Sequence, residues 1–317
     1  MKKLISLLAI VLAMTGCTKP NNNSDGYNRS SLSIITPTGA PAFAFYAYST
    51  YSNFETSSNP KDGIIPQMVT GQKDVVVLPT NAGMQAILNK NANYQIAATL
   101  TFGNFYLVSL GNDENQTLDE NDKILLFQQG NVPDKVFHYV YGDVYDNNVY
   151  YVPDVTDAVS AATAASFVDS VSGDTIIPNY VLLAMPALQN VLANKTQYSV
   201  YADMQAKYKE KSNSLALFQA SVFIKKTVDK ETANAFLKSL KKDVEAALTN
   251  ADIITSALKD TTDIKTLYGV MPSLAASVTR NGNGMGLGFE YAKDNKAAIE
   301  TFLRIFNIEG FDEEIYF

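Results

Sequence analysis

Runs of consecutive apolar residues, rather than strict alternation, mark the strands of this chain. Asp74-Val75-Val76-Val77-Leu78 reads as a strand buried on both faces, the habit of a parallel strand covered by helices. Pro79 closes it, because proline donates nothing to a ladder. Thr80 or Asn81 can then cap a helix whose apolar positions are Met84, Ile87 and Leu88. Residues 181–195 repeat the plan of residues 76–90: Pro186 answers Pro79, and Asn194-Lys195 answers Asn89-Lys90. A second pair lies upstream, where Ile34–Gly39 and Ile124–Gly130 each run from an apolar strand into a glycine turn that opens a helix. The doubling predicts two similar α/β lobes facing each other across a cleft. In open α/β sheets, ligands sit at the carboxyl ends of such strands.

The same reading puts further strands at 54–58, 94–100, 105–110, 150–152 and 215–224. Helices are expected at 42–51, 62–70, 133–141, 155–170, 229–249, 251–259 and 292–306, with one helix and a charged surface segment within 191–213. Gly103 interrupts a long extended run, so Thr101-Phe102-Gly103-Asn104 is expected to bend across from one lobe to the other. Leu215–Ile224, with Gln219 and Ser221 as polar positions inside it, is the expected return. Lobe 1 is then residues 31–104 and 219–317, and lobe 2 residues 105–218.

The N-terminus changes the picture by adding an address. Lys2-Lys3 precede an apolar run from Leu4 to Met14, too short to span a bilayer and suited to a signal-peptide core over residues 1–16. Met14-Thr15-Gly16-Cys17 resembles the lipobox of bacterial lipoproteins, which implies cleavage before Cys17, lipid on that cysteine and anchoring to the membrane. Residues 17–30, polar and uncapped, read as a tether.

Composition narrows the chemistry. A chain of 317 residues, 46% hydrophobic and 18% charged, can bury two cores. A net charge of −7 without a basic tract argues against nucleic acid. Only Arg29, Arg280 and Arg304 could form a guanidinium clamp. Cys17 is the sole cysteine, so a disulfide or zinc–thiolate site is excluded. His138, the sole histidine, lies between Phe137 and Tyr139 and reads as a packed or surface residue rather than a base or metal ligand. There is no GxSxG, HExxH or Cys–His pair, and the glycine-rich stretch 280–288 lacks a P-loop lysine. No catalytic group, metal or cofactor is expected.

Lipobox, tether, doubled lobes and two extended crossings together resemble solute-binding lipoproteins of ABC importers with the type II periplasmic binding protein fold. Within that family the resemblance is to the branch of sulfonate, nitrate and thiamine-precursor binders, carried by Thr38-Gly39-Ala40, Asp74–Pro79, Phe105–Val108, Gln129-Gly130 and Phe236-Leu237-Lys238. The resemblance implies an α/β, two-lobed architecture with two sheets joined by two extended crossovers. It also implies a small-molecule ligand, an ABC permease as partner, and a monomer on the extracytoplasmic face of the membrane. Carried to matching turns, it gives Thr38, Gly39, Thr80, Asn81, Thr101, Gln129, Gly130 and Asn131 as ligand-binding candidates. Ala40, Phe102, Asp154 and Gln219 join them by position, Phe102 as a ring that can stack and Asp154 as either a helix cap or a cleft residue. Leu78–Asn81 and Ala184–Ala187 carry no side chains that define a particular ligand.

Independently of the resemblance, first-turn N–H groups converging on one cleft would suit a carboxylate, sulfonate or amide without any arginine. A surface sensor or adhesion module would share the fold, and a cell-surface hydrolase would need a carboxylate pair.

Overall fold

The computed structural model describes residues 26–111, 117–213 and 216–317. The valine run is buried along its length and sends alternate side chains into two cores. Val76 and Leu78 join Phe223 in a core that continues through Leu217 and Phe218 into the second half of the chain. Val75 and Val77 join the other, with Phe43, Phe45, Phe236 and Leu240. A strand between two helical layers has no polar face to spare, so its sequence is apolar throughout.

In chain order the first section is β1 (Ile34–Pro37), α1 (Ala40–Phe43), β2 (Phe54–Ser57), α2 (Ile65–Val69), β3 (Val75–Pro79), α3 (Thr80–Lys90) and β4 (Tyr94–Thr101). Next come β5 (Phe105–Ser109), β6 (Ile124–Phe127), α4 (Val132–Tyr141), β7 (Val149–Val152), α5 (Val155–Ala164), β8 (Phe167–Val168) and β9 (Thr175–Ile176). These lead to β10 (Tyr180–Ala184), α6 (Ala187–Asn194), β11 (Ser199–Asp203) and α7 (Met204–Lys211). The chain returns through β12 (Ala220–Lys225), α8 (Lys230–Thr249), α9 (Asp252–Leu258), α10 (Ile264–Tyr268), α11 (Pro272–Arg280), β13 (Leu287–Tyr291) and α12 (Lys296–Arg304).

Two large sheets result, and their plans match. The first runs β2-β1-β3-β12-β4-β13 and the second β7-β6-β10-β5-β11. Each begins with three parallel strands, β2-β1-β3 in one and β7-β6-β10 in the other. Each then takes an antiparallel strand that has just crossed from the opposite lobe: β12 beside β3, and β5 beside β10. The repeated stretches therefore occupy equivalent places, β3 with β10 and β1 with β6. The two-lobed α/β architecture with two extended crossovers stands.

Several local expectations do not. The helix expected over 42–51 is cut to α1 and a short 3-10 turn at Tyr46–Tyr48. Phe43, Phe45, Tyr46 and Tyr48 are all buried, and one helical stripe cannot bury so many adjacent rings. The helix expected over 155–170 stops at Ala164, where Ala165 turns left-handed, and the chain continues into the β8–β9 hairpin. Strands β11 and β13, read beforehand as part of a charged segment and of a glycine-rich loop, are edge strands. The end of the expected tether is packed rather than free: Tyr27 meets the Phe236 ring, and Arg29 pairs with Asp243 through two bonds, one of 2.9 Å. Cys17, the signal peptide and the start of the tether lie outside the described residues.

Candidate functional site

Strand register fixes which ends of the sheets face each other. Ala220 opens β12 as the chain arrives from lobe 2, and it pairs with Pro79 at the end of β3 and Thr101 at the end of β4. The carboxyl ends of β1 and β3 are therefore at the crossover end of lobe 1. In lobe 2, Phe105 at the start of β5 pairs with Ala184 at the end of β10. β6 and β7 run parallel to β10, so their carboxyl ends also face lobe 1. Thr38, Gly39, Ala40, Thr80, Asn81, Thr101 and Gln219 thus gather on one wall of an interlobe cleft. Gln129, Gly130, Asn131 and Asp154 gather on the other. The lobes touch beside the crossovers, where Tyr106 Oη donates to Gly284 O at 3.5 Å and Gln189 Nε2 to Ser277 Oγ at 3.5 Å.

Several main-chain donors expected to be free at these turns are already bonded within the protein, while the first turns of α1, α3 and α4 carry no side-chain cap. Thr38 N–H donates to Ser57 O at 3.1 Å and Gly39 N–H to Tyr268 O at 2.9 Å. Thr80 N–H donates to Gln219 O at 3.0 Å, and Asn131 N–H to Gln128 O at 3.0 Å. Gly130 N–H is held by Asp134 Oδ2 at 2.7 Å, and Asp154 caps its own helix by accepting from Thr156 and Asp157. In lobe 1 the acceptors are brought in by the tertiary fold, from Ser57, Tyr268 and Gln219, whereas in lobe 2 they are near neighbours in sequence. Gly39 and Gly130 keep a different qualification: both have positive φ, and a Cβ at either would meet nothing within 4 Å.

The crossovers carry a continuous polar relay. Gln219 N–H donates to Thr101 O at 3.0 Å, and Gln219 Nε2 to Asn104 Oδ1 at 3.0 Å. Asn104 Nδ2 donates to Met185 O at 2.6 Å, and Met185 N–H returns a bond to Asn104 O at 2.9 Å. This exchange ties the first crossover to the turn after β10, a role for Asn104 and Met185 that sequence reasoning missed. Phe102 N–H donates to Gly286 O at 2.8 Å. A Cβ on Gly286 would lie 2.0 Å from Gly103 O, so the glycine-rich stretch serves a close backbone approach. The Phe102 ring packs against Phe218 and over Gly288. Deeper in lobe 1, Thr80, Ser221 and Thr99 join hydroxyl to hydroxyl at 2.8 Å each.

Electrostatics place fixed charge on the lobe 2 side. Asp134 is buried and accepts from Gly130 N–H, from Tyr151 Oη at 2.9 Å and from His138 Nδ1 at 2.9 Å. Burial alone would raise its pKa; the bonds from His138, Gly130 and Tyr151 together bring it below the usual carboxylate value. His138 is raised to about 9, first by its bond to Asp134 and against the effect of burial. Its Nε2 meets Asp146 at 3.1 Å. His138, Asp143 and Asp146 bring ligand atoms within 4.8 Å of one another, but both ring nitrogens already have carboxylate partners. The three arginines pair with Asp243, Asp252 and Glu300, and none is spent on a cleft turn.

No family model and no curated protein matches this chain. Solved structures do. An ABC transporter protein from Parabacteroides distasonis is similar with a TM-score of 0.67 and 19% identity, over 86% of this chain and 91% of that one. The periplasmic aliphatic sulphonate binding protein of Escherichia coli gives a TM-score of 0.59 at 9% identity, over 88% and 94%. The zinc-bound ligand-binding component of an ABC-type import system from Staphylococcus aureus gives 0.58 at 9%, over 86% and 90%. The fold is that of the periplasmic solute-binding proteins of ABC importers.

Proposed function

We propose that this chain is a solute-binding lipoprotein of an ABC importer, held outside the cytoplasmic membrane by lipid on Cys17. It captures a small molecule between lobe 1 (31–104 and 219–317) and lobe 2 (105–218) and delivers it to a permease as a monomer without chemical turnover. The observation that carries this reading is the matched pair of sheets with facing strand ends and only two crossovers between them. That arrangement bends readily about the crossovers, and a ligand touching both walls shifts the population toward closure. Among the described residues no helix is long and apolar enough to cross a membrane.

Small-angle scattering and thermal unfolding of the full chain, with and without a dialysed low-molecular-mass culture extract, test the reading. Compaction together with a rise in Tm that grows as ln(1 + [L]/Kd) is expected. A ligand consumed on incubation would point to an enzyme. No response to the extract would favour a surface module on the same fold.

A further inference from the structure

Helix α8 carries lysines on its outer face. Lys238, Lys241, Lys242 and Glu245 follow one another at helical spacing, and with Asn234 and Tyr291 of β13 they line an open concavity of about 510 Å³. Glu245 is the one carboxylate lining it, and it stands 3.8 Å from Lys241. Lys238 and Lys242 are exposed and have no ion pair among the described residues. The half-buried Tyr291 ring has two ammonium groups near its centroid, Lys241 Nζ at 5.5 Å and Lys293 Nζ at 5.6 Å. This basic face runs against the net charge of −7 of the whole chain.

The N-terminal arm lies along the same helix. Tyr27 meets Phe236, two residues before Lys238, and Arg29 pairs with Asp243, the residue after Lys242. Both arm residues are buried, so the chain toward Cys17 leaves lobe 1 beside α8. Nine residue steps separate Gly26 from Cys17, a reach of at most about 32 Å. A helix is about 10–12 Å across, so lipid on Cys17 would hold α8 within a few helix diameters of the bilayer.

We propose that the lysine face of α8 docks lobe 1 onto an anionic phospholipid surface, with phosphate groups against Lys238, Lys242 and Lys293 and the Tyr291 ring at headgroup level. The proposal rests on Cys17 carrying the lipid. The tether supplies closeness and the lysines supply orientation. Acyl chains alone leave the protein free to swivel, whereas a basic face on one lobe of an acidic chain has one favoured approach to a negative surface. A tyrosine suits that depth, because its ring is apolar and its hydroxyl polar. Lobe 2 contributes nothing to this face, so docking through lobe 1 leaves hinge closure to lobe 2.

Lysine footprinting of the lipidated full chain on vesicles tests this. The vesicles are phosphatidylcholine alone or with about one third phosphatidylglycerol; amines are labelled briefly with an N-hydroxysuccinimide ester and each lysine is read by mass spectrometry. On the anionic vesicles, labelling of Lys238, Lys242 and Lys293 should fall several-fold and recover in about 0.5 M NaCl. Lys207 and Lys211 of α7, exposed on lobe 2, should label equally on both. Joint Lys238→Glu and Lys242→Glu should restore Lys293 labelling to its level on neutral vesicles. Joint Lys207→Glu and Lys209→Glu, which change the net charge equally, should not. Equal labelling on the two compositions overturns the proposal, as does Lys293 protection that survives the α8 pair or vanishes with the α7 pair. Protection reproduced by dissolved glycerol phosphate overturns it too. Flotation reports the anchor separately. A chain that floats with neutral vesicles but shows no composition-dependent protection keeps the anchored receptor and loses the lysine face. One that floats only with anionic vesicles, with the protection intact, keeps the face and loses the anchor.

Discussion

The two lobes share a strand plan but use their cleft-facing polar groups in opposite ways. In lobe 2 the turns satisfy themselves. Asp134 reaches back to Gly130 N–H, Asp154 caps the first turn of α5, and Gln129, Gly130, Asn131 and Asp154 remain exposed. In lobe 1, Ala40, Thr80, Asn81 and Thr101 are buried and Thr38, Gly39 and Gln219 half-buried, and Asn81, Thr101 and Gln219 each keep a side-chain oxygen with no partner. At α5 the Asp154 carboxylate already answers the partial positive charge of the helix N-terminus, whereas α4 and α6 have no such cap. Duplication of a fold therefore duplicates the frame of a binding site without duplicating its chemistry.

That contrast can be broken most sharply at Asp134. Asp134→Ala strips partners from Gly130 N–H, Tyr151 and His138 together, and should cost about 3–5 kcal/mol in urea unfolding. A cost under 1 kcal/mol would mean that lobe 2 is not self-satisfied. In lobe 1 the partnered hydroxyls make the internal control. Ser221→Ala leaves Thr80 and Thr99 unpaired and should cost about 1–3 kcal/mol, whereas Thr101→Val should cost nothing.

The pH dependence isolates the lobe 2 network. His138 titrates at about 9 in the folded chain, above its ordinary value of 6.5. Its stabilisation is therefore complete below about pH 6.5 and fades as pH rises through about 9, by an amount on the order of 1–2 kcal/mol after solvent screening. Unfolding midpoints should fall across this window in the parent protein and stay flat there in Asp134→Ala. The smallest effect is expected at the exposed cap, where Asp154→Ala should cost about 1 kcal/mol in urea unfolding. A cost near zero would mean that Asp154 does not hold the first turn of α5.

Much of the frame was legible because it is local. Val75–Leu78, Ile124–Phe127 and Tyr180–Ala184 are apolar at every position, and a parallel strand between two layers requires that. Pro79 and Pro186 stop strands for reasons that hold in any context. Gly103, with φ of +94° and Gln205 within 2.2 Å of where a Cβ would stand, marked the crossover as a glycine in an extended run should. The edge strand β11 is hard to read because Ser199 and Asp203 bracket only three residues, and β13 because its alternating Leu287, Phe289 and Tyr291 directly follow a glycine-rich stretch. The aromatic cluster after β1 was mistaken for one long helix because each ring, taken alone, fits a helical core.

What the residue order determined by itself is the doubled strand–turn–helix plan and the points where the chain changes lobe, since both follow from apolar runs and punctuation a few residues long. Only the tertiary structure decided which polar groups are spent. Ser57, Tyr268 and Gln219 come to Thr38, Gly39 and Thr80 from elsewhere in the chain, and Met185 sets the Gln219 amide through Asn104. A hydrogen bond needs its partner within about 3 Å, and distance in space is not written in the spacing along the chain.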